Sequence, residues 1–310
     1  MLVVSNQSEK RRSVFPELGA RPRVLVPVLK GQLARPIASI GDALLAFPGA
    51  SGNLLALVEV DANLSSRLAT QDERRRDMLR WVAGLDYEGL QRRRMKVTLR
   101  VTADVVSTIR DVVSDSQSTS LVLEWPTPLS PRRHRLRALA AQLAVGLPAD
   151  VLFVRSSPAS PNRDIAPRSI LAPIRGGSSA RVVAATATAL ADAYRCALTV
   201  MHVQSATQHP DRSRREQQAF TQIVEEIRRP MTTVRQLRGQ SPAASILNQA
   251  ASHDLVIMGS WLNPQQPNVL VGRGLMRTVR QLPCPVIVVR AKNAAWVSPL
   301  SKAAHDGTDR

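Results

Sequence analysis

The chain has 310 residues, of which 44% are hydrophobic, 21% charged and only 3% aromatic, and its formal net charge is +18. This is a globular composition with room for about two domains of ordinary size. No apolar stretch reaches the roughly 18 residues of a membrane-spanning helix. The short apolar opening is also a poor secretory signal, so we expect a cytoplasmic protein without a membrane span.

The positive charge is spread along the chain. Residues 1–165 carry +8 and residues 166–310 carry +10. Because aromatic side chains are rare, there are few platforms on which single-stranded bases could stack. We therefore do not expect a nucleic-acid partner. The basic surface is either simply solvated or attracts another anionic partner, such as a nucleotide, an acidic protein or lipid head groups.

The two cysteines, Cys196 and Cys284, lie in apolar surroundings in two different predicted elements. Neither has the spacing of a zinc site. We interpret them as buried free thiols of a protein kept in a reducing compartment.

A polar leader, residues 1–20, precedes a first α/β unit, residues 21–155. Short runs of Val, Leu and Ile bounded by Gly, Pro or polar residues are typical of buried strands in a parallel sheet. Longer stretches between them predict helices. The predicted strands are 23–28, 54–60, 96–101, 120–125 and 150–155, and the predicted helices are 34–45, 65–90, 104–113 and 132–145.

A linker rich in proline and serine, residues 156–168, marks a domain boundary. The pattern then restarts in a second unit, residues 169–292, which is followed by a polar tail, 293–310, that we expect to be mobile. The predicted strands are 169–174, 197–203, 233–238, 255–258 and 285–289, and the predicted helices are 181–194, 214–229, 241–251 and 273–282. Strands alternating with helices, twice over, predict a tandem repeat of open parallel sheets with helices on both faces.

The stretch from residue 254 to 290 resembles the end of a universal stress protein domain. In that family a glycine follows the fourth strand, a second comes three residues later, and a third comes ten residues after that, before a Ser or Thr. Gly259 and Gly272 hold the first and third places. Leu262 and Arg273 stand where the second glycine and the Ser or Thr are expected. The ending LPCPVIVVR closely matches the family's last strand.

The resemblance covers nearly all of the second unit and is more remote in the first. In ATP-binding members of the family an Asp follows the first strand, and here Arg175 stands in that place. In the first unit Glu124 occupies the place of the first glycine, so we interpret residues 21–155 as a degenerate copy. The resemblance implies two tandem doubly wound α/β domains with five-stranded parallel sheets in the strand order 3-2-1-4-5.

The ligand pocket of a doubly wound sheet lies beyond the carboxyl ends of the strands, where the strand order switches. A helix start, such as the one after Gly272, adds backbone N–H groups that can bind an anion. In the second unit the expected nucleotide or anion site consists of Ile174, Arg175, Gly176, Gly177, Val203, Gly259, Ser260, Gly272, Arg273 and Gly274.

We expect phosphates to bind the backbone from Gly272 to Gly274, with Arg273 as a charge partner. Arg175 is either a second partner or part of a salt bridge across the domain interface. ATP or another adenine nucleotide is the predicted cofactor. There are two alternatives: the pocket binds another small anionic ligand, or it has decayed and binds no ligand.

The sequence contains no GxSxG, HExxH or GxxxxGK[ST] motif, and His202 falls within a predicted strand as a core histidine. We predict a non-enzymatic stress-response or regulatory protein, with weak ATP hydrolysis left open. The alternative is a cytosolic regulatory module that docks on a membrane transporter or another protein without nucleotide. The last strands could pair the two domains within the chain, or the chain could form a homodimer.

Overall fold

The computed structural model describes residues 22–29, 34–46, 49–60, 76–77, 80, 95–125, 142–143, 146–161, 163–176, 179–206, 209–227, 229–260 and 272–292. The predicted leader and tail lie outside these residues. The same is true of Gly177 and of most of the two helices predicted at 65–90 and 132–145.

The first half of the chain contains five strands and two helices in the described part. They are β1 (Arg23–Leu29), α1 (Ala34–Leu44), β2 (Ser51–Glu59), β3 (Met95–Thr102), α2 (Val105–Asp115), β4 (Ser120–Glu124) and β5 (Asp150–Arg155). Helix α2 begins where the side chain of Asp104 accepts a hydrogen bond from the Ser107 backbone N–H at 3.0 Å, which satisfies one of the free donors of the first turn.

The second half repeats the pattern. Its elements are β6 (Ser169–Pro173), α3 (Ala180–Tyr194), β7 (Ala197–Ser205), α4 (Pro210–Glu226), β8 (Thr232–Gly239), α5 (Pro242–Ala250), β9 (Leu255–Gly259), α6 (Arg273–Gln281) and β10 (Val286–Arg290). Ser241 caps α5, since its Oγ accepts a hydrogen bond from Ala244 N at 3.3 Å. Helix α4 starts four residues before its predicted start, because His209 caps it and Pro210 suits the first helical position.

All ten strands form one sheet, in the order β3-β2-β1-β4-β5-β10-β9-β6-β7-β8. Each half therefore has the expected order 3-2-1-4-5, and neighbours within a half are parallel. The halves meet through β5 and β10, which pair antiparallel from Val286 opposite Arg155 to Arg290 opposite Val151. The two expected sheets are thus halves of a single one, joined through the last strand of each unit.

The core lies in two layers, one on each face of this sheet. On one face α1, α3 and α4 cover side chains such as Val24 and Val26. On the other face α2, α5 and α6 cover side chains such as Leu25, because successive strand residues point to opposite faces. The first layer runs across the junction: α1 contacts α3, and Tyr194 donates a hydrogen bond to the Ser39 carbonyl at 3.2 Å.

Both cysteines are free and buried in the core, as expected. Burial raises the pKa of the Cys196 and Cys284 thiols. Both side chains are therefore apolar packing groups, held in the neutral form.

Candidate functional site

The carboxyl ends of β6, β7 and β9 meet at one edge of the second half, where the strand order switches. Ile174, Val203 and Ser260 are all buried there. Their backbone is engaged: Ile174 N donates to Met201 O at 2.7 Å, and Ser260 N donates to Val289 O at 2.8 Å. Ile174 faces the α3 and α4 layer, whereas Val203 faces the α5 and α6 layer. The predicted residues share one edge of the sheet but are divided between its two faces.

Gly259, the first glycine of the family pattern, is closely packed. A Cβ at this position would lie 3.1 Å from the Ser179 Cβ and 3.3 Å from a Val183 methyl carbon, closer than side chains ordinarily approach. Ser179 lies at the start of α3, and its Oγ donates to the Ser260 carbonyl at 2.8 Å. The glycine therefore lets α3 lie directly against the end of β9.

Arg175 forms an ion pair with Glu216 of α4, with its Nε 3.3 Å from Glu216 Oε1. The Arg175 side chain is 40% exposed and that of Glu216 is 14% exposed. This partner lies in the same half of the chain, so the ion pair described for Arg175 is within the second half. The neighbouring Gly176 has φ +101, a left-handed conformation that favours glycine, and this turn brings the chain against Glu216.

Helix α6 starts with its first turn uncapped. Gly272 precedes it with φ −58 and ψ 151, and no side chain of the described residues caps the helix. A Cβ added at Gly272 or at Gly274 would meet no atom of the described structure within 4 Å. Among the described residues, none therefore blocks approach to the backbone at the start of α6. The Arg273 side chain and Gly177 lie outside the described part, so the role expected for them stays a prediction.

A second concave region, which no sequence motif predicts, lies beside this edge between α4 and the ends of β7 and β8. One cavity of about 380 Å³ is lined by His202, Gln204, Gln217, Gln236, Leu237 and Arg238. A further cavity of about 630 Å³ shares Gln204, Gln217 and Arg238 with it. Of the predicted site residues that the structure describes, none lines either cavity. Only the register of β7 against β8 would have revealed it.

His202 is a core histidine, as predicted, with 1% of its surface exposed. Its ring stacks on Phe220, and its Nδ1 lies 2.9 Å from the Ile174 carbonyl oxygen. Its Nε2, however, is buried without a hydrogen-bond partner in the described structure.

Two arginines are buried at the junction of the halves, one at the end of each paired strand. Arg155 donates two hydrogen bonds, to Leu282 O at 2.7 Å and to Cys284 O at 2.6 Å. Arg290 is 7% exposed, and its buried Nη1 has no partner in the described part. Burial lowers the pKa of Arg155, and it lowers the pKa of Arg290 to about 10.

Within the described ranges, no cluster of His, Cys, Asp and Glu could hold a metal ion. No helix among the described elements has the length and apolar character needed to span a bilayer.

The molecule is thus a doubly wound α/β protein whose strand order switches between β6 and β9 in the second half. Residues 167–290 match the family model of the Universal stress protein family. The second half of the chain is therefore a universal stress protein domain, as its motifs indicated.

Solved structures share the fold over most of the chain. A universal stress protein from Archaeoglobus fulgidus DSM 4304 is 13% identical with a TM-score of 0.61, covering 87% of this chain and 97% of its own. The cytoplasmic domain of a prokaryotic cation chloride cotransporter is 15% identical with a TM-score of 0.54, covering 88% of this chain and 97% of its own. No protein of curated function matches the sequence significantly.

Proposed function

We propose that this chain is a non-enzymatic regulatory protein of the universal stress type that binds the phosphates of an adenine nucleotide at the start of α6. The observation that carries the proposal is the uncapped first turn of α6, with Gly272 and Gly274 both open to approach. This turn follows β9 at the switch point of the sheet, which is where doubly wound folds bind ligands.

The phosphate contacts would come from backbone N–H groups. The first turn of a helix has donors without partners inside the helix, and the helix dipole favours negative charge there. Met276 N donates to Gly272 O at 3.0 Å, which begins the regular helical bonding. The N–H groups before Met276 are the ones proposed to bind phosphate.

Arg175 would contribute little charge to the ligand. Its guanidinium already faces the Glu216 carboxylate, so a phosphate would have to compete with an existing ion pair. The site therefore differs from a pocket in which Arg175 and Arg273 would both be available to the ligand. It leaves Arg273, the predicted charge partner, as the arginine expected to contact phosphate.

The described histidines support the non-enzymatic part of the proposal. His253 Nε2 lies 2.9 Å from Thr199 Oγ1 and its Nδ1 lies 2.7 Å from Gln249 O, so both ring nitrogens are engaged in packing contacts. The neighbouring Asp254 accepts from the backbone N–H groups of Arg168 and Ser169 at 2.9 and 3.1 Å. Neither group is positioned as a base for an attacking water.

The test is native mass spectrometry of the full chain titrated with ATP, using Gly272→Asp and the matched control Gly272→Ala. A Cβ at this position meets no described atom within 4 Å, so we expect both variants to fold, but only Asp puts a negative charge at the phosphate position. We expect one nucleotide per chain, a loss of affinity of about tenfold or more in Gly272→Asp, and little change in Gly272→Ala, since tenfold corresponds to about 1.4 kcal/mol.

An unchanged mass in excess ATP would reject the nucleotide proposal. Equal weakening by Asp and Ala would move the ligand away from α6. Steady release of ADP by the wild-type chain, abolished in Gly272→Asp, would contradict the non-enzymatic part.

A second candidate function is a regulatory module that docks on a membrane transporter or another protein without nucleotide. The observation that favours it is the whole-chain likeness to a transporter's cytoplasmic domain, together with the net charge of +18. Co-sedimentation with membranes from the source cells at low salt, released at high salt and unaffected by ATP, is the expected result. Sedimentation that is equally weak at both salt concentrations would contradict it.

A further inference from the structure

We propose that the cavity between α4 and the β7–β8 pair is a second ligand site, for a small organic anion that also carries a hydrogen-bond donor. It is separate from the phosphate site proposed at the start of α6. No residue named for that site lines it.

The strand register builds this cavity. His202 lies opposite Gln236, and Gln204 lies opposite Arg238 in the parallel pair. Residues two apart on a strand point to the same face, and that face is covered by α4, because His202 stacks on Phe220 of α4. The volume of about 380 Å³ is in the range of small-molecule sites.

The inner wall of the cavity provides a hydrogen-bond acceptor. The Nδ1 of His202 lies 2.9 Å from the Ile174 carbonyl oxygen, and a carbonyl can only accept, so Nδ1 carries the hydrogen. In the neutral ring Nε2 is then an acceptor. This atom is buried and has no partner in the described structure. Buried polar atoms are nearly always paired, so the ligand should bring an O–H or N–H group to it.

The rim of the cavity is positively charged and partly fixed. Arg238 Nε donates to Gln204 Oε1 at 3.1 Å, and the Gln204 amide nitrogen donates to Ser213 Oγ. These bonds orient the Arg238 guanidinium. Its two terminal nitrogens have no hydrogen-bond partner among the described residues. Arg214 on α4 lines the adjoining cavity and adds a second positive charge.

The carboxylates of α4 do not neutralise this rim, because three of them have other basic partners. Glu216 pairs with Arg175, and Glu226 pairs with Arg181 at 3.0 Å. Asp211 lies 3.7 Å from His209 at the start of the helix. A carboxylate or phosphate of the ligand is therefore the complementary group for Arg238. The amides of Gln217 and Gln236 can donate or accept at the sides.

The experiment uses two probes that share this chemistry and differ in the acidic group: citrate and glycerol 3-phosphate. Each has a partner that lacks the hydroxyl groups, namely tricarballylate and propyl phosphate. Binding to the full chain is measured by isothermal titration calorimetry. We expect at least one hydroxylated probe to bind about tenfold or more tightly than its partner, because only the hydroxyl can donate to His202. The tighter of the two identifies the carboxylate or the phosphate as the preferred group.

The variants are Arg238→Gln and the matched control Arg235→Gln. Both remove one positive charge from β8, but Arg235 points to the opposite face, where it donates to Gln249 of α5. We expect a loss of affinity of about tenfold or more in Arg238→Gln and less than twofold in Arg235→Gln. His202→Phe keeps an aromatic ring against Phe220 and should reduce the affinity of the hydroxylated probe to that of its partner.

The proposal is overturned if wild-type protein binds neither acid, or if both arginine variants weaken binding equally, since binding would then depend only on net charge. Equal affinity for the hydroxylated and deoxygenated probes would also overturn it, because His202 would have no part. The two proposed sites are tested independently: Gly272→Asp should leave probe binding unchanged, and Arg238→Gln should leave ATP binding unchanged.

Discussion

The two arginines at the junction of the halves should have opposite effects on stability when they are replaced by methionine. Both end a strand of the β5–β10 pair, and both are almost fully buried. They differ in their partners. Arg155 bonds two backbone carbonyls through its Nη2 although its buried Nε is unpaired in the described part, whereas the Nη1 of Arg290 bonds nothing there. Methionine keeps a long flexible chain in each place and removes the charge.

For Arg290→Met the structure predicts a gain. Burial lowers the pKa of Arg290 to about 10, and that reduction corresponds to roughly 3 kcal/mol against the charged form. Replacing a buried charge by an apolar side chain of similar size typically stabilises a protein by about 1–4 kcal/mol when the charge is poorly paired. We expect the free energy of unfolding to rise by about 1–3 kcal/mol.

For Arg155→Met the structure predicts a loss. Each hydrogen bond from a charged group contributes about 1.5–3 kcal/mol, and its removal leaves a buried carbonyl unpaired. Relief of the buried charge offsets part of this, so we expect a net loss of about 2 kcal/mol. The free energies of unfolding of the two variants should therefore differ by about 4 kcal/mol, one above and one below that of the wild type.

The assay is guanidinium chloride unfolding of wild type and both variants, followed by far-UV circular dichroism with the protein at neutral pH. The midpoints should move in opposite directions at an unchanged denaturant dependence. If Arg290→Met lowers the midpoint as much as Arg155→Met does, the claim that the buried charge of Arg290 destabilises the protein is refuted. Arg290 must then have a stabilising partner in solution.

Three further outcomes are expected. Because burial raises the pKa of Cys196 and Cys284, neither thiol should react with Ellman's reagent at about pH 8 until the chain is unfolded. The contribution of the two thiols to stability should be fully present below the ordinary thiol pKa and lost as pH rises through the raised pKa. Reaction of the native protein would contradict this. Gly259→Ala should lower the thermal midpoint, at a cost of about 1–3 kcal/mol, because its Cβ meets Ser179 at 3.1 Å. At Gly274 of α6 an added Cβ meets no described atom within 4 Å, so Gly274→Ala should stabilise the protein by about 0.5–1 kcal/mol, measured in the same scan; a loss of stability would show that the position is crowded.

The fold could be predicted from sequence because its determinants are local. Runs such as Leu255–Met258 and Val286–Val289 indicate buried strands wherever they occur, and the spacing between them indicates a helical connection. The strand order was implied by the family resemblance, and the sheet confirms it.

The site could be predicted only in part, because its remaining determinants depend on residues far apart in the sequence. The partner of Arg175 is Glu216, on the next helix but one, and no local pattern pairs them. The role of Gly259 as a contact for α3 is equally non-local. His202 and Arg238 line one cavity only because β7 and β8 are parallel and in register. A sequence shows which side chains exist, but such neighbours follow from the assembled sheet.

The antiparallel junction of β5 and β10 has a consequence for how this protein can diverge. Two copies of one unit that meet by diffusion must both keep the same surface, because each is encoded by the same residues. Here the two partners are covalently linked, so they meet at a fixed ratio and at a high effective concentration. One partner can then change without changing the other. Glu124 ends β4 in the first half, where Gly259 ends the corresponding β9 in the second. The two halves of the sheet are thus non-identical partners held in a single polypeptide.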